Sequence, residues 1–428
     1  MRSSYLGIPV FACAAFMCAS ASAELMDRPA GFKIGQHMTL KPYVAVSTTY
    51  DSNAEGRNEG RENVCWTVSP GLGLDYVAEN WTLTANVQYQ YNAYSRKRVY
   101  GSQNYHGISE NVAYKWSNAK AGERGWALML AQSYNKTRED SVAYSGLEYG
   151  TDRQTFNVSG AVQRRFGSGL HADLMAGYYW LDYDNDSNSQ VASLYGWDRV
   201  MAGGEFGWAP SKWLDLLLSA SYQYYTQDNT TSTYYGSYLN TPSCESEGLT
   251  FQGGFASWAT DHISYRLLAG WSRFDYGRNS GGGAANGFVY TASANWNITE
   301  TWKTMLLATS YYQPTERDYG SSQRVDSFSW GIAHSMVRNK LNATFDIAYR
   351  HESPEYTWRS SYGAVAVSDY SIDNVTYRLG LNYILNRYLS LFTSVSYRKS
   401  VGSGASNSRA EYYTYERFTG TLGLKFTY

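Results

Sequence analysis

Apolar and polar side chains alternate with a period of two along most of the chain. In the segment 81–92, the apolar side chains stand at Trp81, Leu83, Ala85, Val87, Tyr89 and Tyr91. Only Thr, Asn and Gln stand between them. Because successive side chains of a β-strand point to opposite faces, this period predicts strands with one apolar face and one polar face.

The segment from Phe418 to Tyr428 keeps the alternation and ends on an aromatic side chain. A final strand of this kind resembles the closing strand and assembly signal of Gram-negative outer-membrane β-barrels. We therefore predict a C-terminal assembly signal formed by Leu422, Leu424, Phe426 and Tyr428. The edge strand of a soluble β-sandwich is the alternative interpretation.

A repeating unit runs from His37 to the end of the chain: a strand, a short turn, a second strand and a longer polar loop. Counting these units predicts about 18 strands, with about 16 as the next total. Three of the predicted loops are Asp140 to Gly150, Asp228 to Ser246 and Pro354 to Ser368. With an even strand count both termini lie on one side, which places the short turns in the periplasm and the long loops outside the cell.

Aromatic residues mark both ends of the predicted strands. After short turns stand Trp81, Trp126, Trp213, Trp302 and Tyr388, and before long loops stand Tyr50, Tyr94, Tyr134, Tyr183, Tyr276 and Tyr312. Two aromatic belts are typical of a membrane-spanning protein. Since an open sheet in lipid would leave its edges unpaired, we predict an all-β, antiparallel, up-and-down transmembrane barrel. A barrel of this size leaves an aqueous channel.

Composition agrees with a single barrel domain. The 428 residues include 8 Pro, and 43% are hydrophobic and 16% aromatic. The mean hydropathy of −0.47 is too low for a helical membrane protein, and the aromatic content is high for a soluble one. The net charge of −1 provides no basic field for nucleic acid.

The first 23 residues have the pattern of a secretory signal peptide, with Arg2, an apolar run from Leu6 to Ala19, and Ala21-Ser22-Ala23. We predict cleavage after Ala23, a short periplasmic lead over residues 24–36, and a barrel over residues 37–428. Lipid attachment at Cys13 or Cys18 is disfavoured, because Met17 rather than a small residue precedes Cys18. The predicted location is the outer membrane of a Gram-negative bacterium, with outer-membrane lipid, lipopolysaccharide and the barrel-assembly machinery as partners.

The opening hairpin carries three short motifs: Leu40-Lys41-Pro42-Tyr43, Thr49-Tyr50-Asp51-Ser52-Asn53, and Ser69-Pro70-Gly71 within Val68 to Leu74. They resemble the first hairpin of the putative β-barrel porin 2 family. Members of that family are outer-membrane barrels, some of them encoded beside exopolysaccharide genes. The resemblance implies a porin or a polysaccharide export channel without choosing between them, and it assigns no functional residues.

Charged residues on the predicted inner face separate by sign. A basic wall lies near the seam between the first and last strands, and an acidic wall lies on the middle strands. The basic wall comprises Lys41, Arg350, Arg378, Arg398, Arg417 and Lys425, and the acidic wall comprises Asp173, Glu205 and Asp215. Walls of opposite sign would orient sugar-like solutes, and the denser basic wall predicts weak anion preference. Alternatively, these charges only solvate the lumen or pair with one another.

Four inward aromatic residues are candidates for stacking on a saccharide solute: Tyr43, Tyr179, Tyr225 and Phe392. Local packing under an infolded loop is the alternative role. Cys65 and Cys244 remain after signal removal and are candidates for a disulfide, since the extracytoplasmic environment permits one.

No catalytic, metal or cofactor site is predicted. Of the six His residues, only His106 and His351 lie near the outer mouth, and neither stands beside a Gly-x-Ser-x-Gly motif. The short lead leaves no room for the plug of an energised transporter. The predicted function is a passive channel for saccharides or exopolysaccharide, and the alternatives are a general diffusion porin and a structural or adhesive barrel.

Overall fold

The protein is described by a computed structural model that covers residues 31–428 with gaps. The gaps are 55–59, 97–103, 119–123, 143–147, 185–195, 212, 228–230, 235–236, 241–243, 258–261, 277–282, 315–321, 338–339, 360–364 and 405–413. The predicted signal peptide, its cleavage site and most of the predicted periplasmic lead lie outside the described residues. Within the described part of the chain, no helix is long and apolar enough to cross a membrane.

The described residues form strands joined by turns. The strands are β1 (Phe32–Ile34), β2 (Met38–Asp51), β3 (Asn63–Val77), β4 (Trp81–Tyr94), β5 (Asn104–Ser117), β6 (Gly125–Val142), β7 (Glu148–Gly167), β8 (Leu170–Asp184), β9 (Trp197–Ser211), β10 (Leu214–Gln227), β11 (Thr231–Tyr234), β12 (Ser237–Asn240), β13 (Cys244–Ala256), β14 (Ile263–Asp275), β15 (Ala284–Asn297), β16 (Trp302–Pro314), β17 (Ser322–Met336), β18 (Leu341–Arg359), β19 (Val365–Ile384), β20 (Leu389–Gly404) and β21 (Tyr415–Thr427).

Strands β2–β10 and β13–β21 form a closed antiparallel barrel of 18 strands. Each barrel strand pairs with the strands before and after it, and β21 closes the ring on β2 from Tyr43↔Thr427 to Asp51↔Thr419. The prediction of an up-and-down barrel of about 18 strands is therefore confirmed. We call the end with the short turns and both termini of the barrel the turn end, and the opposite end the loop end.

The period of two explains which face each side chain occupies. Large apolar side chains point outward and are exposed, as for Leu174 at 70% and Leu218 at 67%. At the turn end, outward aromatic residues lie where the belt was predicted: the guanidinium of Arg164 lies 4.7 Å from the ring centroid of Trp126, and Tyr388 stacks with Tyr428 at 5.8 Å. An apolar outer surface with an aromatic edge is the surface that lipid requires.

Strand β1 was not predicted, because its residues fall in the segment assigned to the periplasmic lead. It pairs with the start of β2, from Phe32↔Leu40 to Ile34↔Met38. At the turn end β2 extends beyond β21, so its first residues have no partner in β21. Strand β1 pairs with this part of the edge of β2. Phe32 stacks on Tyr428 with their ring centroids 4.3 Å apart.

Three predicted loops were too long. Strands β6 and β7 pair as far as Val142↔Glu148, and β18 and β19 as far as Arg359↔Val365. The predicted loop from Asp228 to Ser246 contains the β11–β12 hairpin and the start of β13. Strand pairing therefore continues into segments whose polar residues predicted loops.

Candidate functional site in the lumen of the barrel

The two halves of the inner face differ in exposure. Inward side chains on β7–β16 are largely buried, among them Gln163, His171, Leu181, Trp197, Leu217, Tyr225, Ser246, Leu268, Phe274 and Val289. Most inward side chains on β2–β4 and β20–β21 are half-buried. The lumen is therefore filled against the β7–β16 wall and more open beside the seam, where β21 meets β2.

A segment of β16 helps to fill the lumen. Strands β15 and β16 pair only from Thr291↔Thr309 to Asn297↔Lys303, nearer the turn end. Toward the loop end, β16 is buried on both faces: Thr309 and Gln313 on one side are 5% and 8% exposed, and Ser310 and Tyr312 on the other are 4% and 8% exposed. A strand of the wall would show one face to lipid. This part of β16 has therefore left the wall and lies inside it.

Tyr312 joins an aromatic cluster on the inner face of β8–β15. Trp197 contacts Tyr179 at 4.8 Å and Tyr225 at 5.4 Å between ring centroids, and Phe274 lies edge-on to Tyr225 at 5.5 Å. Tyr225 is 1% exposed and Tyr179 packs against the cluster. Tyr225 therefore has no surface to offer to a sugar, and the packing role fits both tyrosines better than the stacking track.

A cavity lies between the inner wall and this part of β16. Its empty volume is about 990 Å³, including space open to the lumen. The lining includes Met201, Gln223, Thr250, Arg266, Ser310 and Tyr311. Mixed apolar and polar lining of this kind is typical of sites for small molecules.

The predicted acidic wall is buried and paired. Nε2 of His171 lies 2.9 Å from Oδ2 of Asp215, and Nε2 of Gln163 donates to Asp173 at 3.1 Å. Arg266 forms a bidentate ion pair with Glu205, in which Nη1 donates to Oε1 at 3.0 Å. Each of these buried carboxylates therefore has a hydrogen-bond or ion-pair partner, as buried charges require.

Most of the predicted basic wall is also paired. Lys41 forms an ion pair with Asp75, Nε of Arg417 donates to Asp51 at 3.0 Å, and Nε of Arg350 lies 2.7 Å from Oε1 of Glu352. Arg378 stands opposite Asp346 in the register of β18 and β19. The alternative interpretation, that the charges pair with one another, therefore describes the contacts better than two walls of opposite sign.

The remaining two basic residues contact neutral groups. Nη2 of Arg398 donates to Oδ1 of Asn374 at 2.9 Å, and its guanidinium lies 5.6 Å from the ring of Tyr415. Nζ of Lys425 lies 4.1 Å from the ring centroid of Tyr43. A cation over an aromatic face is stabilised by the ring quadrupole and keeps its charge in the lumen.

Two predicted stacking residues lie beside the seam. The hydroxyl of Tyr43 donates to Asn86 at 3.2 Å and to Gln88 at 3.3 Å, while its ring lies across Gly71. Phe392 lies across Gly423 in the same way. An aromatic ring paired with a cross-strand glycine lies flat against the sheet.

Neutral polar side chains form hydrogen bonds on the same inner face, nearer the loop end than the two rings. Hydroxyl oxygens of Thr49 and Thr421 are 2.9 Å apart, those of Ser396 and Thr419 are 2.6 Å apart, and Thr67 donates to Asn92 at 2.7 Å. We call this part of the lumen, from β20 through β21 and β2 to β4, the seam sector.

The candidate disulfide is not formed. Cys65 lies near the start of β3 and Cys244 at the start of β13, and both are thiols. Residues 241–243, which precede Cys244, lie outside the described part. Among the described residues, no group of His, Cys, Asp and Glu has the arrangement of a metal site.

Sequence reasoning missed three residues that organise the lumen: His171, Arg266 and Tyr312. The period of two could have placed His171 and Arg266 on the inner face. Their pairing with Asp215 and Glu205 joins strands that are not neighbours in the barrel, β8 with β10 and β9 with β14. Tyr312 was assigned to the outer belt, and only the departure of β16 from the wall turns it inward.

Similarity to solved structures is distant. The FrpB iron transporter of Neisseria meningitidis (F3-3 variant) aligns with 10% identity and a TM-score of 0.45, over 91% of this chain and 67% of that chain. OpdK of Pseudomonas aeruginosa, solved with vanillate, aligns with 11% identity and a TM-score of 0.40, over 91% and 98%. OccAB2 of Acinetobacter baumannii aligns with 9% identity and a TM-score of 0.41, over 91% and 98%.

The chain thus spans about two thirds of the length of the iron transporter. No curated protein matches it. A family model, in contrast, matches residues 28–418, which include every barrel strand up to the first residues of β21. The resemblance first noted in the opening hairpin extends over nearly the whole chain. With this match and its closed barrel, the chain belongs to the putative beta-barrel porin 2 family.

Proposed function

We propose that the protein is an outer-membrane channel through which saccharides, or an exopolysaccharide, pass without energy input. Its family and its porin- and transporter-like barrel support a role in transport. The observation that favours a saccharide is the seam sector, where hydroxyl and amide groups face the lumen.

Sugars carry many hydroxyl groups, each of which both donates and accepts hydrogen bonds. Hydroxyl and amide side chains such as Thr49, Ser396 and Asn86 do the same, so a sugar can exchange its bonds to water for bonds to the wall. Ion pairs such as Lys41 with Asp75 limit the net charge of this wall. A neutral polar path suits a neutral solute with many hydroxyl groups.

The filled half of the lumen directs the solute to the seam sector. The inner face of the β7–β16 wall is covered by the infolded part of β16 and by the aromatic cluster. The free cross-section of the lumen therefore lies beside the seam sector. There the flat rings of Tyr43 and Phe392 supply apolar surface against which the apolar faces of a sugar can pack. Asn86 and Gln88 flank the ring of Tyr43, and the combination of aromatic surface with a few polar groups is typical of sites for small molecules.

One observation favours a structural or adhesive barrel instead. Burial of the inner face of β7–β16 reduces the cross-section, and a fully occluded barrel would conduct nothing. A general diffusion porin is the third candidate, and it would conduct without preferring any glycan.

Single-channel recording in planar bilayers tests the proposal. We expect a steady conductance that neutral oligosaccharides reduce with increasing concentration. Tyr43→Ala removes one ring of the seam sector and should weaken this block, whereas Val46→Ala, on the outer face of the same strand, should not. No conductance would indicate the structural barrel, and conductance insensitive to every glycan would indicate the general porin.

A further inference from the structure

Three side chains on the outer face of β18 and β19 form a chain of hydrogen bonds near the loop end. Nδ1 of His351 donates to Oδ1 of Asp373 at 2.8 Å, and Nε2 of His351 lies 2.8 Å from Oγ of Ser353. His351 and Ser353 are two residues apart on β18, and Asp373 stands opposite His351 on β19. This is the connectivity of a Ser-His-Asp triad.

The partners determine where the protons lie. A carboxylate can only accept, so Nδ1 of His351 carries the hydrogen that points to Asp373. Nε2 of the neutral ring then accepts the hydrogen of the Ser353 hydroxyl. This tautomer is the one in which imidazole can take a proton from a nucleophile. The hydroxyl of Tyr349 also donates to Oδ1 of Asp373, at 2.6 Å, and helps to hold the carboxylate in place.

The triad faces away from the lumen. Phe328, Tyr349 and Tyr377 share its face of the sheet and are 40%, 38% and 43% exposed. The side chains of His351 and Asp373 are themselves about one third exposed, at 30% and 34%. Reagents and lipids outside the barrel can therefore reach the site.

The height of the triad matches the boundary between lipid and water. His351 follows the first residue of β18, Leu341, by ten positions. With a rise of about 3.3 Å per residue and a strand tilt of about 40°, that distance is roughly 25 Å along the membrane normal, the height of the apolar band. Just toward the turn end, Tyr377 and Tyr397 stack with ring centroids 6.5 Å apart, as in an interfacial belt. The ester groups of membrane lipids lie at this boundary.

A basic residue of the neighbouring strand lies level with the serine. Arg324 on β17 is directly opposite Ser353 in the register of β17 and β18. Opposite residues have their Cβ atoms about 5 Å apart. Nε of Arg324 donates to Oδ2 of Asp326 at 3.0 Å, which orients the guanidinium on this face. A positive donor in this position can stabilise negative charge that develops on an attacked carbonyl oxygen.

We propose that Ser353, His351 and Asp373 form a catalytic site on the outer surface that hydrolyses fatty acyl esters of membrane amphiphiles. Oγ of Ser353 bonds to the acyl carbon while its proton moves to Nε2 of His351, and the carbonyl electron pair moves to the oxygen near Arg324. When the intermediate collapses, the bond to the alcohol oxygen breaks and the alcohol takes the proton from His351.

Water from the interface completes the reaction. His351 takes a proton from the water as its oxygen bonds to the acyl carbon, and the bond to Ser353 then breaks as the proton returns to Oγ. The net change is ester plus water to fatty acid plus alcohol. The site lies outside the lumen, so this activity is independent of transport through the pore.

A fluorophosphonate reagent tests for an activated serine, because its phosphorus bonds to such a hydroxyl oxygen with loss of fluoride. The folded protein in detergent micelles should carry the adduct on Ser353, located by peptide mass spectrometry. Ser353→Ala and His351→Gln should lose it, and Asp373→Asn should slow labelling at least about tenfold. Ser371→Ala removes a serine from the same face of β19 and should label as the unmodified chain does.

Lipid vesicles then identify the source of the ester. Release of fatty acid from phosphatidylethanolamine vesicles, or from lipopolysaccharide vesicles, should appear with the unmodified chain and with Ser371→Ala but not with Ser353→Ala. A folded protein that is not labelled at Ser353 would overturn the catalytic site. Labelling without release from either lipid would overturn the proposed substrate class. Strand content by circular dichroism shows that each variant has folded.

Discussion

The ring of Tyr43 occupies the space that a side chain at Gly71 would need: a Cβ atom at Gly71 would lie 2.2 Å from Cζ of Tyr43. Gly71→Ala should therefore push the ring off the wall and break its bonds to Asn86 and Gln88. We expect the free energy of unfolding to fall by about 1–3 kcal/mol, the usual cost of overpacking. Urea unfolding of the barrel in lipid, followed by tyrosine and tryptophan fluorescence, measures the change.

Gly73→Ala is the matched control for this substitution. It lies on the same strand and face, but a Cβ atom there meets nothing closer than 3.6 Å. Equal unfolding midpoints for the two variants would mean that the seam does not depend on the contact between Tyr43 and Gly71.

The ion pair between Arg266 and Glu205 has a buried carboxylate, whose side chain is 3% exposed. Arg266→Met leaves that charge without its partner, and we expect a loss of about 3–5 kcal/mol in the free energy of unfolding. Adding Glu205→Gln should recover part of it, because the unpaired charge is then gone. Urea unfolding checks both variants. Lys399→Ala is the control, because it disrupts an exposed ion pair with Glu416 and should leave the free energy of unfolding unchanged. If Lys399→Ala lost as much stability as Arg266→Met, burial of the carboxylate would not be the cause of the loss.

Lys425 places a positive charge in the seam sector, over the ring of Tyr43. Lys425→Gln should shift the reversal potential of the channel toward cation selectivity, since the field in a narrow polar pore depends on the charges that line it. Lys399→Gln removes the same charge from the outer face and should leave the reversal potential unchanged. A bilayer with a tenfold salt gradient provides the measurement. Cation preference in the unmodified chain would contradict the expected weak anion preference.

Tyr312 holds the infolded part of β16 against the inner wall. Tyr312→Ala removes its contacts with the aromatic cluster, so this part of β16 should become looser and the single-channel conductance should rise. Phe288→Ala on the outer face of β15 is the control and should conduct as the unmodified channel does. An unchanged conductance for Tyr312→Ala would show that β16 does not limit the pore.

Tyr428 contacts residues from both the N-terminal and the C-terminal part of the chain at the turn end, stacking on Phe32 and on Tyr388. If it is part of an assembly signal, Tyr428→Ala should reduce the fraction of protein that folds in the outer membrane. Thr427→Ala, one position earlier and on the inner face, should not. The folded fraction is measured by the faster migration of the unheated barrel in detergent gels. Equal folded fractions would contradict the predicted signal.

The fold was predictable because lipid imposes a regular pattern. Outward residues such as Val44, Val46 and Leu424 are apolar, and the inward residues between them are mostly polar, so the period of two marks the strands beside the seam. That constraint ends at the lipid boundary. The extensions of β6, β7, β18 and β19 lie in segments that were predicted as loops, and the pairing of β1 with β2 involves only three residues, too few to show a period.

The sites were less predictable, because they depend on register. Parity correctly separates inward from outward side chains, but it does not show that Arg417 reaches Asp51 on a strand distant in sequence. His351 was set aside for lack of a nucleophile motif. Its neighbour Ser353 is visible in the sequence, whereas Asp373 meets it only once β18 and β19 are aligned.

The short contact between β15 and β16 has a mechanical consequence. Seven residue pairs join these strands, fewer than join any other two neighbours around the ring in the described part of the chain. A barrel under tension separates first between the two neighbouring strands that have the fewest paired residues. Denaturant or a pulling force should therefore unzip the wall first between β15 and β16, and amide protons along that line should exchange with solvent before those elsewhere in the barrel.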